Sequence, residues 1–269
     1  MTTTDEKRPY DSNLTKLVED YYTHYYRDLL GLKDWIARVD ARLVEEDRES
    51  RVIDNIENLI NYSFEGKRVL VMGAGTGGEL FALRDRGAEV IGIEPDRKAT
   101  DIIAAKAKSR GMGNPSLQAV GEALPLASEQ FDFTYCYTVL EHTTDPLLCI
   151  DEMLRVTKKG GWLFIMTPDY RFPYEGHYKI HWPPFVPRFV SNIYLKLKNR
   201  PTEFLWTLNF VNAKQLQSHL QNRNTLTMQI FWPIPPEWRE SPSLSGRLRL
   251  FFLDKLGIQR DAWLLAKVL

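Results

Sequence analysis

The run Val69-Leu70-Val71-Met72-Gly73-Ala74-Gly75-Thr76-Gly77-Gly78-Glu79-Leu80 is the strongest constraint in the chain. Four apolar residues that read as a buried strand lead through glycines into a helix. Glycine at such a bend permits tight turning and lets backbone approach a ligand that any Cβ would obstruct. Gly73, Gly75 and Gly78 fit G-x-G-x-x-G, so a nicotinamide or flavin dinucleotide is one reading of the turn. About 20 residues on, Glu94 ends the next apolar run in Ile93-Glu94-Pro95-Asp96, where a carboxylate accepts both hydroxyl protons of an adenosine ribose. A structural turn plus a surface acid is the plain alternative, but the two features together at this spacing speak against it. The turn alone does not choose between cofactor classes.

From Phe64-Glu65-Gly66 onward, short β-rich runs alternate with helical segments, the pattern of βαβ units and a parallel sheet. Strands are expected at Arg68–Met72, Glu89–Ile93, about Ser116–Val120, Phe131–Tyr137 and Trp162–Met166, with helices near 77–86, 97–110 and 146–157. Residues 1–64 read as an N-terminal helical segment, frayed to about residue 11 and capped by Asp11 or Ser12. Leu14, Leu17, Val18, Tyr21, Tyr22, Tyr25, Tyr26 and Leu29 then form a helical stripe that ends near Gly31. A second helical region, 34–61, carries Trp35, Ile36, Val39, Leu43, Ile56 and Leu59, with a break expected within Glu45 to Arg51. Residues 65–269 form the main α/β domain, interrupted at about 169–210 by an aromatic- and proline-rich insertion or lid. After it come a helix at about 212–222, a strand at 225–232, a helix near 245–256 and a closing strand at Asp261–Val268.

Lys plus Arg equals Asp plus Glu at 35 each, so no global field draws a polyanion, and nucleic acid is not an expected partner. No apolar stretch approaches the roughly 20 residues of a spanning helix, and the first residues carry no apolar leader, so a cytoplasmic location is expected. Cys136 and Cys149 sit in apolar segments without metal-ligand spacing and read as buried reduced thiols.

Downstream of the turn, four further segments carry a resemblance. Gly121-Glu122-Ala123-Leu124-Pro125 runs on to Phe131-Asp132, and Tyr137-Thr138-Val139-Leu140-Glu141-His142 follows the next strand. Lys158-Lys159-Gly160-Gly161 precedes strand five, and Trp263-Leu264-Leu265-Ala266-Lys267 closes the chain. In this order the segments resemble class I S-adenosylmethionine-dependent methyltransferases of the small-molecule type, closely over about 66–168 and loosely in the tail. The resemblance implies a Rossmann-like doubly wound sheet, mostly parallel with an antiparallel last strand, in the order 3-2-1-4-5-7-6. It implies S-adenosylmethionine as cofactor, held by Gly73, Ala74, Gly75, Gly77, Gly78, Glu94, Pro95, Gly121, Glu122, Ala123 and Tyr137. The family often carries an acid a few positions before the Leu-Pro pair. Here Val120 takes that position, so adenine contact falls to the backbone around Gly121 to Ala123. Thr138 stands where some relatives carry a second acid, and no metal is expected.

Methyl transfer to a hydroxyl gains from a general base working near neutral pH, and histidine suits that task. His142 is the first candidate and His177 the second, with His181 beside it; a capping or packing role is the alternative for each. The expected acceptor is an oxygen of a saccharide, lipid-linked intermediate or secondary metabolite. Residues 185–200 read as an amphipathic helix with a basic edge, either a plain lid or a peripheral membrane contact. A NAD- or FAD-dependent oxidoreductase and a non-catalytic nucleotide-binding protein of the same fold are the competing readings, and the sequence leaves oligomeric state open.

Overall fold

A computed structural model describes residues 10–182, 186–221 and 260–269, the backbone of 226–231, and scattered positions between 244 and 258. By its internal contacts the chain divides into two units, residues up to Pro125 and residues from Leu126 onward. The N-terminal helices, which the sequence sets apart up to residue 64, pack within the first unit.

That unit opens with α1 (Ser12–Thr23), whose N-cap Asp11 accepts the Leu14 N–H, and runs on through a π-helical turn, His24–Leu29. Next come α2 (Trp35–Leu43) and α3 (Glu45–Ile60). The helix break falls at Val44, whose φ of −120° and ψ of 31° leave the helical region, and the segment Glu45 to Arg51 expected to hold it is regular helix. The buried face of α1 is narrower than the apolar stripe: Leu14, Val18 and Tyr22 at four-residue steps meet Val39, Leu43 and Ile102, while Leu17 is half exposed. Ile36 and Leu59 likewise face outward.

The strands of the first unit are β1 (Arg68–Met72), β2 (Glu89–Ile93) and β3 (Ser116–Leu117), all parallel in the order β3-β2-β1. Val69, Leu70, Val71 and Met72 are all buried, as a strand covered on both faces requires. Helices α4 (Gly78–Arg84) and α5 (Arg97–Ser109) make the connections, and the Asp96 carboxylate caps α5 by accepting the Lys98 N–H. Strand β3 stops at Leu117, short of the expected Val120.

The second unit holds β4 (Phe131–Tyr137), α6 (Pro146–Val156) and β5 (Thr157–Pro168). A short hairpin follows, β6 (Tyr174–Glu175) with β7 (Ile180–His181), then α7 (Arg188–Leu197), α8 (Ala213–Gln221), β8 (Leu226–Phe231) and β9 (Asp261–Val268). Here β4 and β5 are parallel, β9 runs antiparallel to β5, and β8 pairs with β9, giving β4-β5-β9-β8. With the hairpin set aside, β8 and β9 are the sixth and seventh sheet strands. The halves 3-2-1 and 4-5-7-6 of the expected order each lie within one unit, and the fold is α/β with an antiparallel last strand. Most of the helix expected near 245–256 lies outside the described residues, as does residue 185 at the start of the basic segment. Cys136 and Cys149 are free and buried. Among the described residues no helix is long and apolar enough to cross a membrane.

Candidate functional site

In the first unit the glycine turn is built by three left-handed residues, Gly73, Gly75 and Gly77, with φ of 67°, 51° and 94°. A side chain at Gly75 would meet nothing within 4 Å, so that face of the turn is open for a ligand. At Gly77 and Gly78 a Cβ would strike Phe81 and Glu45 at 2.8 and 2.9 Å, so these two serve close packing. The Ala74 N–H donates to the Ile93 carbonyl at 2.9 Å, which brings the end of β2 beside the turn. There Glu94 accepts the Gly75 N–H on Oε2 at 2.8 Å and the Asp96 N–H on Oε1 at 2.9 Å. Each oxygen keeps a lone pair for a sugar hydroxyl. Burial raises the Glu94 pKa, against the two amides that lower it.

Pro95 is exposed, and its carbonyl accepts from the Gln118 side chain at 3.1 Å. Gly121, Glu122 and Ala123 form a turn after β3, in which the Ala123 N–H donates to the Val120 carbonyl at 3.4 Å. An adenosyl cofactor needs an open bend and a carboxylate for the ribose, and Gly73–Gly78 with Glu94 are the residues that would hold one.

Sequence reasoning missed what supports the turn. Thr76 Oγ1 donates to Glu45 Oε1 at 2.5 Å, and the Tyr22 hydroxyl lies 2.9 Å from Thr76 Oγ1 and 3.2 Å from Glu45 Oε2. The fully buried Lys106 donates to Glu45 Oε1 at 2.9 Å. Burial alone would raise the Glu45 pKa, but Lys106 and Arg42 outweigh it and hold the carboxyl at about 2. Lys106 in the apolar run Ile102–Ala107 was the available signal, and nothing local says that Glu45 and Lys106 meet.

In the second unit β4 ends at Tyr137, whose ring stands edge-on to Trp263. Thr138 follows with φ of 54°, a conformation that β-branched residues rarely adopt, and its N–H donates to the Met166 carbonyl at 2.8 Å. This bend starts the 3-10 turn Leu140–His142. Glu141 is wholly buried; its Oε2 accepts from Thr167 at 3.2 Å, its carbonyl accepts the Asn209 N–H at 2.6 Å, and its Oε1 has no hydrogen-bond partner. His142 and His177 meet edge to face with ring centres 5.0 Å apart, and the Phe204 ring lies against both.

Both imidazoles turn Nε2 toward Glu141 Oε1, His142 at 4.0 Å and His177 at 3.9 Å. On its other side His177 Nδ1 is bonded to Glu175 Oε1 at 2.7 Å, and Glu175 Oε2 accepts the Tyr178 N–H at 2.6 Å. Burial pushes the Glu141 pKa up to about 7, with His177 opposing. Burial, reinforced by His177, pulls His142 well below its ordinary value. For His177 burial works downward, but Glu175 outweighs it and the pKa is raised.

The structure thus brings His142 and His177 together and adds Glu141 and Glu175, which the sequence reading did not rank. His181 is elsewhere, exposed on β7 with its carbonyl accepting from Tyr194 at 2.8 Å.

The topology of the two units and the open glycine turn define a class I methyltransferase fold. Residues 70–165 match the family model described as "Methyltransferase domain", so this stretch of the chain is similar to that family. It is similar to an uncharacterized methyltransferase of Mycobacteroides abscessus, 34% identical over 135 residues, which are 49% of this chain and 51% of that protein. The chain therefore spans about half the length of the curated relatives it matches. Among solved structures, an S-adenosylmethionine-dependent methyltransferase from Mesorhizobium loti aligns with a TM-score of 0.53 at 16% identity, covering 76% of this chain and 92% of that one. The YcgJ protein from Bacillus subtilis aligns with a TM-score of 0.53 at 17% identity, covering 83% and 99%. At these identities the structural likeness shows the fold.

Proposed function

We propose that the chain transfers a methyl group from S-adenosylmethionine to an oxygen of a small-molecule acceptor, such as a saccharide, lipid-linked intermediate or secondary metabolite. The supporting observation is the Gly75 N–H donating to Glu94 beside an open face of the glycine turn. The cofactor, when bound, supplies an electrophilic methyl on a sulfonium. The chain's own contribution is to orient the acceptor and exclude water. His177 is the better placed base, because Glu175 fixes its Nδ1 and leaves Nε2 free to take a proton. His142, neutral at ordinary pH, is suited to accepting a hydrogen bond from the acceptor. Titration calorimetry with S-adenosylmethionine, its demethylated product, NAD and FAD tests the cofactor; labelled-methyl transfer to cell extracts tests the acceptor. Binding of a dinucleotide instead would favour an oxidoreductase, and tight adenosyl binding without transfer to any acceptor would favour a binding protein.

One observation favours contact with a lipid surface. Phe189, Ile193 and Leu197 lie at four-residue steps on α7, and each is more than half exposed. The stretch from 186 to 202 carries Arg188, Lys196, Lys198 and Arg200 and no acid. An apolar stripe edged by bases suits an anionic membrane and a lipid-linked acceptor.

A further inference from the structure

We infer that Glu141, His142 and His177 form a binding site for a divalent transition-metal ion of the zinc or iron type, which takes an acceptor oxygen at its remaining coordination positions. The inference rests on the acceptor reading above only in its second half; the ion site stands on the cluster itself.

Three lone-pair atoms converge here, with one carboxylate oxygen and two imidazole nitrogens all lying within 4.8 Å of one another. With Glu175 as acceptor for the Nδ1 proton of His177, Nε2 of the neutral ring points a lone pair at Glu141 Oε1, the form in which it can take an ion in place of a second proton. Glu141 Oε1 is fully buried and no donor reaches it. A buried acceptor left this way costs about 1–3 kcal/mol, and in native proteins such an atom calls for an explanation. Facing lone pairs repel unless something positive stands among them.

Two imidazoles and one carboxylate make up the ligand set of open, catalytic sites for zinc and non-haem iron. Ligand atoms around an ion at about 2.1 Å stand roughly 3.4 Å apart in a tetrahedral site. The present 3.9 and 4.0 Å to Glu141 therefore need to shorten by about half an ångström, and the separation of the two imidazole nitrogens, within 4.8 Å, by up to about 1.4 Å, which side-chain rotation supplies. The surroundings are those of a metal centre: Glu175 orients one ligand through its second nitrogen, Thr167 orients the carboxylate, and Phe204 walls the site. His142 keeps 32% of its side chain exposed, which leaves a path for entry. With Nε2 of His177 taken up as a ligand the ring no longer serves as the base, and an acceptor hydroxyl bound to the ion would lose its proton to bulk water with no further co-reactant.

The sequence reading expected no metal because Thr138 replaces an acid near the Glu-His pair. The third ligand is supplied from the insertion instead, where no local motif marks it.

The test uses the full chain after chelator treatment, titrated with Zn2+ and Co2+ by calorimetry, with the visible Co2+ spectrum recorded. One ion per chain with micromolar or tighter affinity is expected, with a Co2+ band typical of nitrogen and oxygen ligands. E141Q and H142A should each weaken binding at least 10-fold, and E175Q by about 10- to 100-fold. H142A changes a partly exposed side chain, so it reports even where E141Q fails to fold. Absence of stoichiometric binding, or equal affinity in H142A and wild type, would overturn the site. S-adenosylmethionine affinity measured on the same samples separates this outcome from failure of the methyltransferase reading.

Discussion

Thr76 donates a hydrogen bond to Glu45 at 2.5 Å, tying the glycine turn to the start of α3. The N-terminal helices therefore support the glycine turn and do more than precede it. Glu45 also holds Lys106, so one carboxylate joins α3, the turn and α5.

The pairing makes stability depend on acid. Glu45 is held at about 2 against an ordinary 4.5, so its contribution is complete above about pH 4.5 and is lost as pH falls toward 2. The size is on the order of 3 kcal/mol. Urea unfolding followed from pH 6 to pH 2 should show this slope, and E45Q should flatten it. E45Q also leaves Lys106 buried without its partner and should cost about 3–5 kcal/mol at neutral pH. The double variant E45Q/K106M should recover a part of that loss. Equal stability of the single and double variants would show that the pair does not act as a unit.

Two glycines of the turn should respond differently to alanine. Gly77 has φ of 94° and its new Cβ would lie 2.8 Å from Phe81, so G77A should lower stability by about 2 kcal/mol or more. Gly75 has room, so G75A should cost only the left-handed strain of about 1–2 kcal/mol. The open face is nevertheless where the ligand must approach, and G75A should lose S-adenosylmethionine affinity well beyond its loss of stability. Melting temperature and calorimetric affinity for both variants provide the check. A G75A protein that binds as wild type does would remove the turn from the cofactor site.

Glu94 holds the turn and is proposed to hold the sugar, and its variants should separate the two roles. E94Q keeps one acceptor oxygen, so it leaves one of the two amides facing an NH2 group, and it should lower cofactor affinity about 10- to 100-fold, the worth of a charged hydrogen bond. E94A also frees the Gly75 and Asp96 amides and should lose stability besides. Adenosine, which carries the ribose without the sulfonium, should lose affinity by a similar factor in E94Q. Unchanged adenosine binding would place the carboxylate away from the sugar.

The elements bounded by strong local chemistry were legible. Strands Arg68–Met72, Glu89–Ile93, Phe131–Tyr137 and Asp261–Val268 fall where β-rich runs meet turn residues, and their bounds match expectation. The turn and Glu94 were legible because their partners lie within one βαβ unit. The helix break was misplaced by the charge density of Glu45 to Arg51, which looks like a solvated loop. Two of those acids, Glu45 and Glu49, are in fact buried. The histidine cluster was half legible: His142 and His177 could each be ranked by residue type, but Glu141 and Glu175 gain meaning only when the hairpin brings His177 to them. Long-range pairing of this kind leaves no periodicity to read.

The exposed stripe on α7 permits a test that does not depend on the chemistry. Its inner face is anchored by the buried Ser191 and Leu195, so substituting Phe189, Ile193 and Leu197 with serine removes apolar area from the outer face alone. Stability should change by no more than about 0.5 kcal/mol per site. If the stripe enters a bilayer interface, the wild-type chain should sediment with vesicles containing phosphatidylserine and part of that binding should persist in moderate salt, because apolar insertion is not screened as charge is. The triple serine variant should lose the salt-resistant part while keeping whatever attraction its bases supply at low salt. A variant that binds as well as wild type, or a wild type that binds neutral and anionic vesicles equally, would leave α7 as a cover over its own unit with no lipid role.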